Sequence, residues 1–326
     1  MSELIPAGEG KFYVPYPPLP AILAMPFVYF LGQKFPQQYL AHLIGAGLVL
    51  LVVKLSYLIK KDPKLALWSG LLVSAGSIVW FLSSSGSSWY LGQICAAFFL
   101  TAALVESLAK KRALLIGLFL GAAYLARLHI LLSLPFFWLT GKNKRWLLAG
   151  ILPFLIFNAG YNYLRFGAIW DKGYLLIPGI LGEPWFSKGL MHPSYIKNSF
   201  KTAFLSLPIF QKDFPYIKPS WGGLSIFITT PAFIFSLTAK WKETINKLAW
   251  LSVLLIFTFV AMHGSTGFAQ FGYRFAVDFY PFLIFLTIKG VAETGLKKIH
   301  WILLLAGILV NLWGVLWINK FGWVEY

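Results

Sequence analysis

Arginines and histidines stand at the ends of apolar runs in this chain, and their side chains are suited to bind phosphate. Arg127 and His129 separate two apolar runs, and His263 begins a polar stretch that also holds Arg274 and Asp278. The guanidinium fork of arginine matches two phosphate oxygens. An arginine at membrane depth usually faces a partner, because an unpaired charge in lipid is costly. We therefore predict that Arg127 and His129 contact a phosphate group.

Arg274 and Asp278 lie four residues apart, which is about one turn of an α-helix. This spacing predicts a local ion pair that anchors a helix and neutralises Asp278. A ligand site that also includes Tyr273 and His263 is an equal alternative. The sequence does not decide between the two.

Asn158, Asn162 and Arg165 are spaced four and three residues apart, so they share one face of a helix. Such a face predicts hydrogen bonds between helices, or a polar wall beneath the segment that follows. Arg127, Arg165 and Arg274 each fall at the end of an apolar run, and desolvated arginines gather where they can share an anion. We predict that these three arginines line one cavity.

The segment 165–220 is the longest stretch that does not resemble a membrane helix. It carries seven basic and three acidic residues, and its six prolines exclude one continuous helix. Structureless connections above about 12–15 residues are uncommon, so a function is expected, and a solvated connector is the alternative. Asp171, Lys172 and Tyr174 follow closely after Arg165 and are candidates for substrate contacts.

Residues 194–207 of this segment predict an amphipathic helix. Ile196, Phe200 and Phe204 repeat at spacings of four, while lysines take the other face. Pro208 is compatible with the end of a helix. We expect this helix to lie on the outer membrane surface.

The composition indicates a membrane protein with several spanning helices. Of 326 residues, 58% are hydrophobic and 12% are charged, whereas soluble domains carry about 25% charged residues. The net charge of +17 is dispersed between apolar runs, so it indicates topology and anionic lipid rather than nucleic acid. The single cysteine, Cys95, excludes an internal disulfide and a cysteine-based metal site. No metal and no cofactor are expected.

The apolar runs predict an all-α polytopic membrane bundle of about ten transmembrane helices, with an interfacial helix at 21–31. The predicted spans are 38–59, 65–82, 89–108, 113–126, 128–139, 146–163, 221–238, 248–262, 275–289 and 299–318. We predict a single membrane domain over residues 1–326. Its parts are an outer N-terminal segment (1–37), a first helical set (38–163), an outer loop (164–220) and a second helical set (221–326).

Clusters of basic residues set the predicted topology. Dividing the apolar stretch 113–139 at Arg127 brings five lysine-rich connections to one side, which the positive-inside rule makes cytoplasmic. The N-terminus and the segment 165–220 then share the outer face. We predict an integral protein of a bacterial or archaeal plasma membrane, in the cell envelope.

Two local contacts also follow from spacing. Gly117 and Gly121 form a small-residue pair that predicts close helix packing. Glu106 lies one turn before Lys110, which predicts an ion pair.

Four elements of the sequence resemble those of the GT-C membrane glycosyltransferases, in the branch of protein mannosyltransferases and lipid A aminoarabinose transferases. Tyr16-Pro-Pro-Leu-Pro20 before a short apolar helix is similar to the family's juxtamembrane Pro-Pro-Leu element. Gly121-Ala-Ala-Tyr-Leu-Ala-Arg127 is similar to its glycine-rich helix that ends in a basic residue. Asn162-Tyr-Leu-Arg-Phe-Gly167 with Asp171-Lys-Gly-Tyr174, and Phe271-Gly-Tyr-Arg274 before Asp278, resemble elements of bacterial members.

The resemblance implies transfer of a sugar from a polyprenyl-phosphate donor to an acceptor hydroxyl on a lipid or glycan, at the outer face of the membrane. The arginines would offset the charge of the leaving phosphate. Together with the spacing arguments, the candidates for substrate binding are Tyr16, Arg127, His129, Asn162, Arg165, Lys172, Tyr174, His263, Tyr273, Arg274 and Asp278.

The family takes the acceptor proton with an acidic residue of its first outer loop, after a first membrane helix. This sequence starts just upstream of the Pro-Pro pair, neither Glu3 nor Glu9 matches that position, and Tyr16 stands where this branch often has lysine. Asp171 is the best remaining candidate for the base. We predict no turnover by residues 1–326 alone, and activity when an upstream helix and loop bearing an Asp are added.

Two other classes of protein are alternatives. A transporter or flippase of a lipid-linked sugar would show inverted repeats and discontinuous helices, and the sequence indicates neither. A catalytically inactive membrane subunit would agree with the missing base.

Overall fold

The computed structural model describes residues 4–214, 216–268 and 270–317, and most of these residues are helical. The α-helices of these ranges are α1 (Leu19–Leu31), α2 (Gln37–Ile59), α3 (Pro63–Ser74), α4 (Val79–Ser85), α5 (Ser88–Leu108), α6 (Ala113–Ala126), α7 (Leu134–Thr140), α8 (Lys144–Phe166), α9 (Ile196–Phe200), α10 (Ile226–Thr229), α11 (Thr244–Ala261), α12 (Tyr280–Thr294) and α13 (Lys298–Val315). The longer 3₁₀-helices are Leu128–Ser133, Pro231–Thr238 and Arg274–Asp278. Two short antiparallel hairpins pair β1 (Ile5–Pro6) with β2 (Phe12–Tyr13), and β3 (Ile209–Phe210) with β4 (Ile217–Lys218).

Several of these helices are long and apolar enough to cross a membrane. In the described ranges, α2, α5, α8, α11 and α13 meet that condition singly. A sixth candidate is α3 together with α4, which are bent by 50° relative to each other. The fold is therefore compatible with a helical membrane protein, but the predicted count of ten spans is not confirmed. Neither the orientation in a membrane nor the predicted division into parts is tested, and both stay predictions.

The predicted span 65–82 is interrupted. Ala75 leaves the helical region with φ −130°, and the N–H of Gly76 closes the last turn of α3 on Leu71 O at 2.9 Å. Ser77 Oγ then accepts the N–H of Val79, the first residue of α4. Glycine and serine favour such breaks because their local hydrogen bonds and backbone freedom compete with the helix.

The predicted span 221–238 is not one α-helix either. It consists of α10 followed by the 3₁₀-helix Pro231–Thr238. Pro231 has no N–H to donate, and the residue before a proline avoids the helical region, so Thr230 adopts φ −141° and ψ 72°. The predicted span 275–289 likewise begins in a 3₁₀-helix and becomes α-helical only from Tyr280.

The division at Arg127 is confirmed: α6 ends at Ala126, and Arg127 is extended with φ −151°. The 3₁₀-helix Leu128–Ser133 and α7 follow, so the run that was predicted as the span 128–139 is only partly α-helical and is shorter than the candidate spans. The predicted ion pair of Glu106 with Lys110 is wrong. Glu106 instead accepts two hydrogen bonds from the guanidinium group of Arg112, at 2.9 Å from Nε and 2.8 Å from Nη2. The reason is that α5 ends at Leu108, so Lys110 is no longer one helical turn away.

In the described part of the segment 165–220, short 3₁₀-helices precede α9 and the hairpin of β3 and β4 follows it. The predicted helix 194–207 is present in part. It runs from the 3₁₀-turn Pro193–Tyr195 through α9 and ends in a π-turn at Lys201–Leu205. Ser199 and Ala203 form its buried side, and the ring of Phe204 makes an edge contact with Phe257 of α11 at 5.1 Å between centroids. Its placement on a membrane surface stays a prediction.

Helices α6 and α8 pack backbone against backbone, as the glycine pair predicted. A Cβ on Gly117 would collide with Leu147 O, and a Cβ on Gly150 would lie 2.7 Å from Leu118 N. Gly121 meets the ring of Phe154 in the same interface. The interface therefore excludes side chains at its closest point.

We expect Gly150→Ala to lower the free energy of unfolding by about 1–3 kcal/mol, because the added methyl group must push two backbones apart. Gly160→Ala is the matched control in the same helix, since a Cβ there meets no atom within 4 Å. It should be neutral or stabilising by up to about 1 kcal/mol through helix propensity. Thermal unfolding in detergent measures both, and equal effects would contradict the packing.

Candidate functional site

Asp278 is the centre of a buried polar cluster. Its side chain is fully buried, and its Oδ2 accepts hydrogen bonds from Arg127 Nη2 at 2.9 Å and Arg127 Nε at 3.2 Å. His129 Nε2 lies 2.8 Å from the same oxygen. The other carboxylate oxygen, Oδ1, has no hydrogen-bond partner among the described residues. The cluster thus joins the end of α6 to the 3₁₀-helix Arg274–Asp278.

The predicted ion pair between Arg274 and Asp278 is wrong. The two residues lie in a 3₁₀-helix, which has three residues per turn. A separation of four residues then places side chains about 120° apart instead of on one face. Arg127 and His129, which are distant in sequence from Asp278, contact its carboxylate in place of Arg274.

Arg274 is itself buried, with 7% of its surface exposed. Its Nη1 donates to Gln93 Oε1 at 3.3 Å, and Gln93 Nε2 donates back to Arg274 O at 2.8 Å. Its Nε has no partner among the described residues. Within those ranges no carboxylate lies at salt-bridge distance from its guanidinium group, which is held by one amide and by aromatic rings.

The ring of Phe275 lies between the two arginines. The guanidinium carbon of Arg127 is 5.8 Å from the ring centroid and that of Arg274 is 4.9 Å from it. The rings of His263 and Tyr273 lie 5.8 and 6.0 Å from the same centroid. We call Arg127, His129, Arg274, Phe275 and Asp278 the Asp278 cluster. His263 and Tyr273 border it.

His263 connects this cluster to the long segment. Its Nδ1 lies 2.8 Å from Ser265 O, and its ring makes an edge contact with Tyr174 at 6.3 Å. The N–H of Gly264 also bonds to Leu190 O. Burial lowers the pKa of the His263 imidazole, so the ring is neutral near pH 7 and adds no charge to the cluster.

Arg165 belongs to a separate cluster. Its Nη1 donates to Val14 O at 2.9 Å and its Nη2 to Asn162 Oδ1 at 3.0 Å. Its guanidinium group stacks on Tyr161 at 3.8 Å. Asn158, one turn before Asn162, donates to Tyr124 Oη of α6 at 2.7 Å. This contact confirms an interhelical hydrogen bond on this face. The structure therefore brings Arg127 and Arg274 together and holds Arg165 on the N-terminal segment.

The remaining predicted site residues lie beside these two clusters. Asp171 Oδ1 accepts the N–H of Gly173 at 2.7 Å, and Lys172 lies over the Trp170 ring at 5.4 Å. Tyr16 Oη accepts a hydrogen bond from the indole N–H of Trp89. The residues 14–16 thus run from the Arg165 cluster to the edge of the Asp278 cluster.

Three residues of the site were missed by the sequence analysis: Trp89, Gln93 and Phe275. The guanidinium group of Arg274 lies 5.9 Å from the Trp89 ring. Trp89 and Gln93 are four residues apart on α5, so they share one helix face. An amide inside an apolar run is costly toward lipid, and that signal could have identified this face.

The described ranges contain no group of three histidine, cysteine or acidic side chains that could hold a metal ion. No family model matches the chain, and no curated protein or solved structure matches it either. The fold and the site thus define a helical, membrane-type protein with a buried arginine–histidine–aspartate cluster.

Proposed function

We propose that this protein transfers a sugar from a polyprenyl-phosphate donor to a hydroxyl group of a lipid or glycan acceptor. The supporting observation is the buried guanidinium group of Arg274, which has no carboxylate partner among the described residues. A buried charge without a counter-charge is costly. A phosphate group bound beside Arg274 would supply both the missing negative charge and an acceptor for Nε–H.

The balance of charge in the cluster supports an anionic ligand. Arg127 and Asp278 neutralise each other at 2.9 Å. With the rings of His129 and His263 neutral, Arg274 leaves one net positive charge. Aromatic rings on several sides of Arg274 keep water away and strengthen its attraction for an anion. Phosphate on a long isoprenoid chain fits this setting, because the apolar helices around the cluster can hold the chain in lipid.

The arrangement of His129 supports a role as proton acceptor. Asp278 binds Nε2–H of the imidazole, which fixes the tautomer and leaves Nδ1 as the basic nitrogen. Nδ1 has no hydrogen-bond partner among the described residues, and the side chain keeps 9% of its surface exposed. We propose that Nδ1 takes the place of the first-loop carboxylate of the GT-C enzymes.

The proposed reaction is a single displacement at the anomeric carbon of the donor sugar. The acceptor hydroxyl gives its proton to His129 Nδ1 while its oxygen forms a bond to the anomeric carbon. The bond from that carbon to the phosphate oxygen breaks, and the electron pair leaves with the polyprenyl phosphate. Arg274 offsets the charge that builds on the leaving phosphate, and the imidazolium is stabilised by Asp278.

We expect Arg274→Met to weaken binding of polyprenyl phosphate by about 10–100-fold, because hydrogen bonds to charged groups contribute about 1.5–3 kcal/mol. Binding of polyprenol without the phosphate should not change. The matched control is Arg145→Met, because Arg145 is exposed in the first turn of α8. Fluorescence titration of the unchanged protein and of both variants in detergent measures the six affinities for the two ligands. The proposal would be overturned if the Arg274 variant bound polyprenyl phosphate as tightly as the unchanged protein does.

A transporter of lipid-linked sugars is a second candidate, and one observation favours it. The sequence indicated no discontinuous helices, yet α3 and α4 form a bent pair, and Pro231–Thr238 is a 3₁₀-helix. Discontinuous helices are typical of transporters. Proteoliposomes that carry a labelled donor separate the two functions: transfer releases polyprenyl phosphate, whereas transport moves the intact donor to the other leaflet.

A further inference from the structure

A second polar site lies at the opposite end of α6 from the Asp278 cluster. There the turn between α5 and α6 meets the turn between α7 and α8 around a cavity of about 170 Å³. Lys111, Lys142 and Lys144 contribute to its lining. Because α6 has 14 residues, this cavity is about 21 Å from Arg127 along the helix axis.

The cavity is basic and lacks a compensating acid. No carboxylate is among its lining residues. Arg112 beside it is already paired with Glu106 at 2.8 Å, so Glu106 does not neutralise the lysines. The first turn of α8 has no side-chain cap at Asn143, and its free N–H groups add to the positive potential at this end.

The backbone at Lys111 is also unusual. Its φ is 58°, which is in the left-handed region that favours glycine. The N–H of Lys111 bonds to Glu106 O at 2.9 Å and closes the turn. Lys111 adopts this angle although it has a long side chain, and that side chain lines the cavity.

An apolar surface continues from the cavity toward the sides of the helices. Ile116, Phe137 and Leu147 form the apolar part of the lining. Beside them, Leu114 and Leu148 are exposed by 39% and 45%. The site therefore combines a cationic end with an apolar flank on helices of membrane character.

We propose that this cavity binds the phosphate headgroup of an anionic phospholipid, whose acyl chains lie along the exposed leucines. The three lysine amines attract the negative phosphodiester, and the apolar flank matches the acyl chains. A free phosphate ion would satisfy the amines but would leave the flank without a partner. This inference does not depend on the proposed sugar transfer, because the two sites share no residue.

The test is binding of phosphatidylglycerol to the purified full chain, measured by native mass spectrometry and lipid titration. We expect the triple variant Lys111→Gln, Lys142→Gln, Lys144→Gln to bind phosphatidylglycerol about 100-fold more weakly, since each lysine near the surface contributes roughly a factor of five. The matched control is Lys240→Gln, Lys242→Gln, Lys247→Gln, which removes the same charge from exposed positions before and within the first turns of α11. Its affinity should stay within about twofold of the unchanged protein.

Three outcomes would overturn the inference. The first is equal weakening by both triple variants, which would show a diffuse charge effect. The second is displacement of the lipid by millimolar inorganic phosphate, which would show a free-anion site. The third is equal binding of phosphatidylcholine, which would show no requirement for net negative charge. Thermal unfolding in phosphatidylcholine nanodiscs establishes that the variants fold. The single variant Lys142→Glu, at an exposed side chain, repeats the measurement of phosphatidylglycerol binding.

Discussion

Replacing His129 with alanine will lower the rate of sugar transfer by about 10²–10⁴-fold, which is the usual contribution of a positioned general base. Binding of polyprenyl phosphate will persist, because Arg274 does not contact His129. The rate of the unchanged protein will rise with pH as the imidazole loses its proton, since only the neutral ring can accept one. The variant will lack this dependence. Release of polyprenyl phosphate from a labelled donor measures the rate.

His192→Ala is the matched control for this experiment. His192 lies in the long segment, where its Nδ1 is 2.8 Å from Ser194 Oγ, and its loss should leave the rate unchanged. Asp171→Asn tests the base that the sequence favoured. Activity that disappears in the Asp171 variant and persists in the His129 variant would assign the base to Asp171. No turnover by residues 1–326 with any donor would agree with the sequence-based prediction and contradict a catalytic His129.

Replacing Asp278 with alanine will lower the free energy of unfolding by about 3–5 kcal/mol. The reason is that Arg127 would remain largely buried without its counter-charge, and breaking one partner of a buried pair is far costlier than breaking an exposed pair. Asp278→Asn keeps the shape and removes the charge, so it should also destabilise the protein. Thermal and chemical unfolding in detergent measure the change.

Asp62→Ala is the control for this variant. Asp62 caps α3 through hydrogen bonds from the N–H groups of Lys64 and Leu65 at 2.9 and 3.2 Å. Loss of such a cap costs about 1 kcal/mol. If Asp278→Ala destabilises the protein no more than Asp62→Ala does, the ion pair with Arg127 contributes little and the description of the cluster is wrong.

The apolar helices could be predicted because a long run of apolar residues has few stable alternatives. The prediction of α6 as 113–126 agrees with the structure, since a charged residue ends the run at Arg127. The breaks inside other runs were not predicted, because residues such as Ala75 and Thr230 are compatible with a helix and leave it only through local hydrogen bonds or a neighbouring proline.

The candidate site was predicted in its residue types and not in its pairing. Arg127, His129, Arg274 and Asp278 were all identified, but Asp278 was assigned to the wrong arginine. The error followed from assuming α-helical spacing where the chain adopts a 3₁₀-helix. The long-range pairing of residue 127 with residue 278 depends on how the helices pack, which spacing within one segment cannot show.

The glycine contacts between α6 and α8 have a mechanical consequence. Where two backbones touch directly, no layer of side chains can repack to absorb a relative shift. We therefore expect α6 and α8 to move as one rigid body. This pair of helices carries lysines at one end and Arg127 at the other. A tilt of about 5° at the lysine end would displace Arg127 by about 2 Å over its ~21 Å length. A force that acts on the lysine end of α6 and α8 would therefore move Arg127 at the other end.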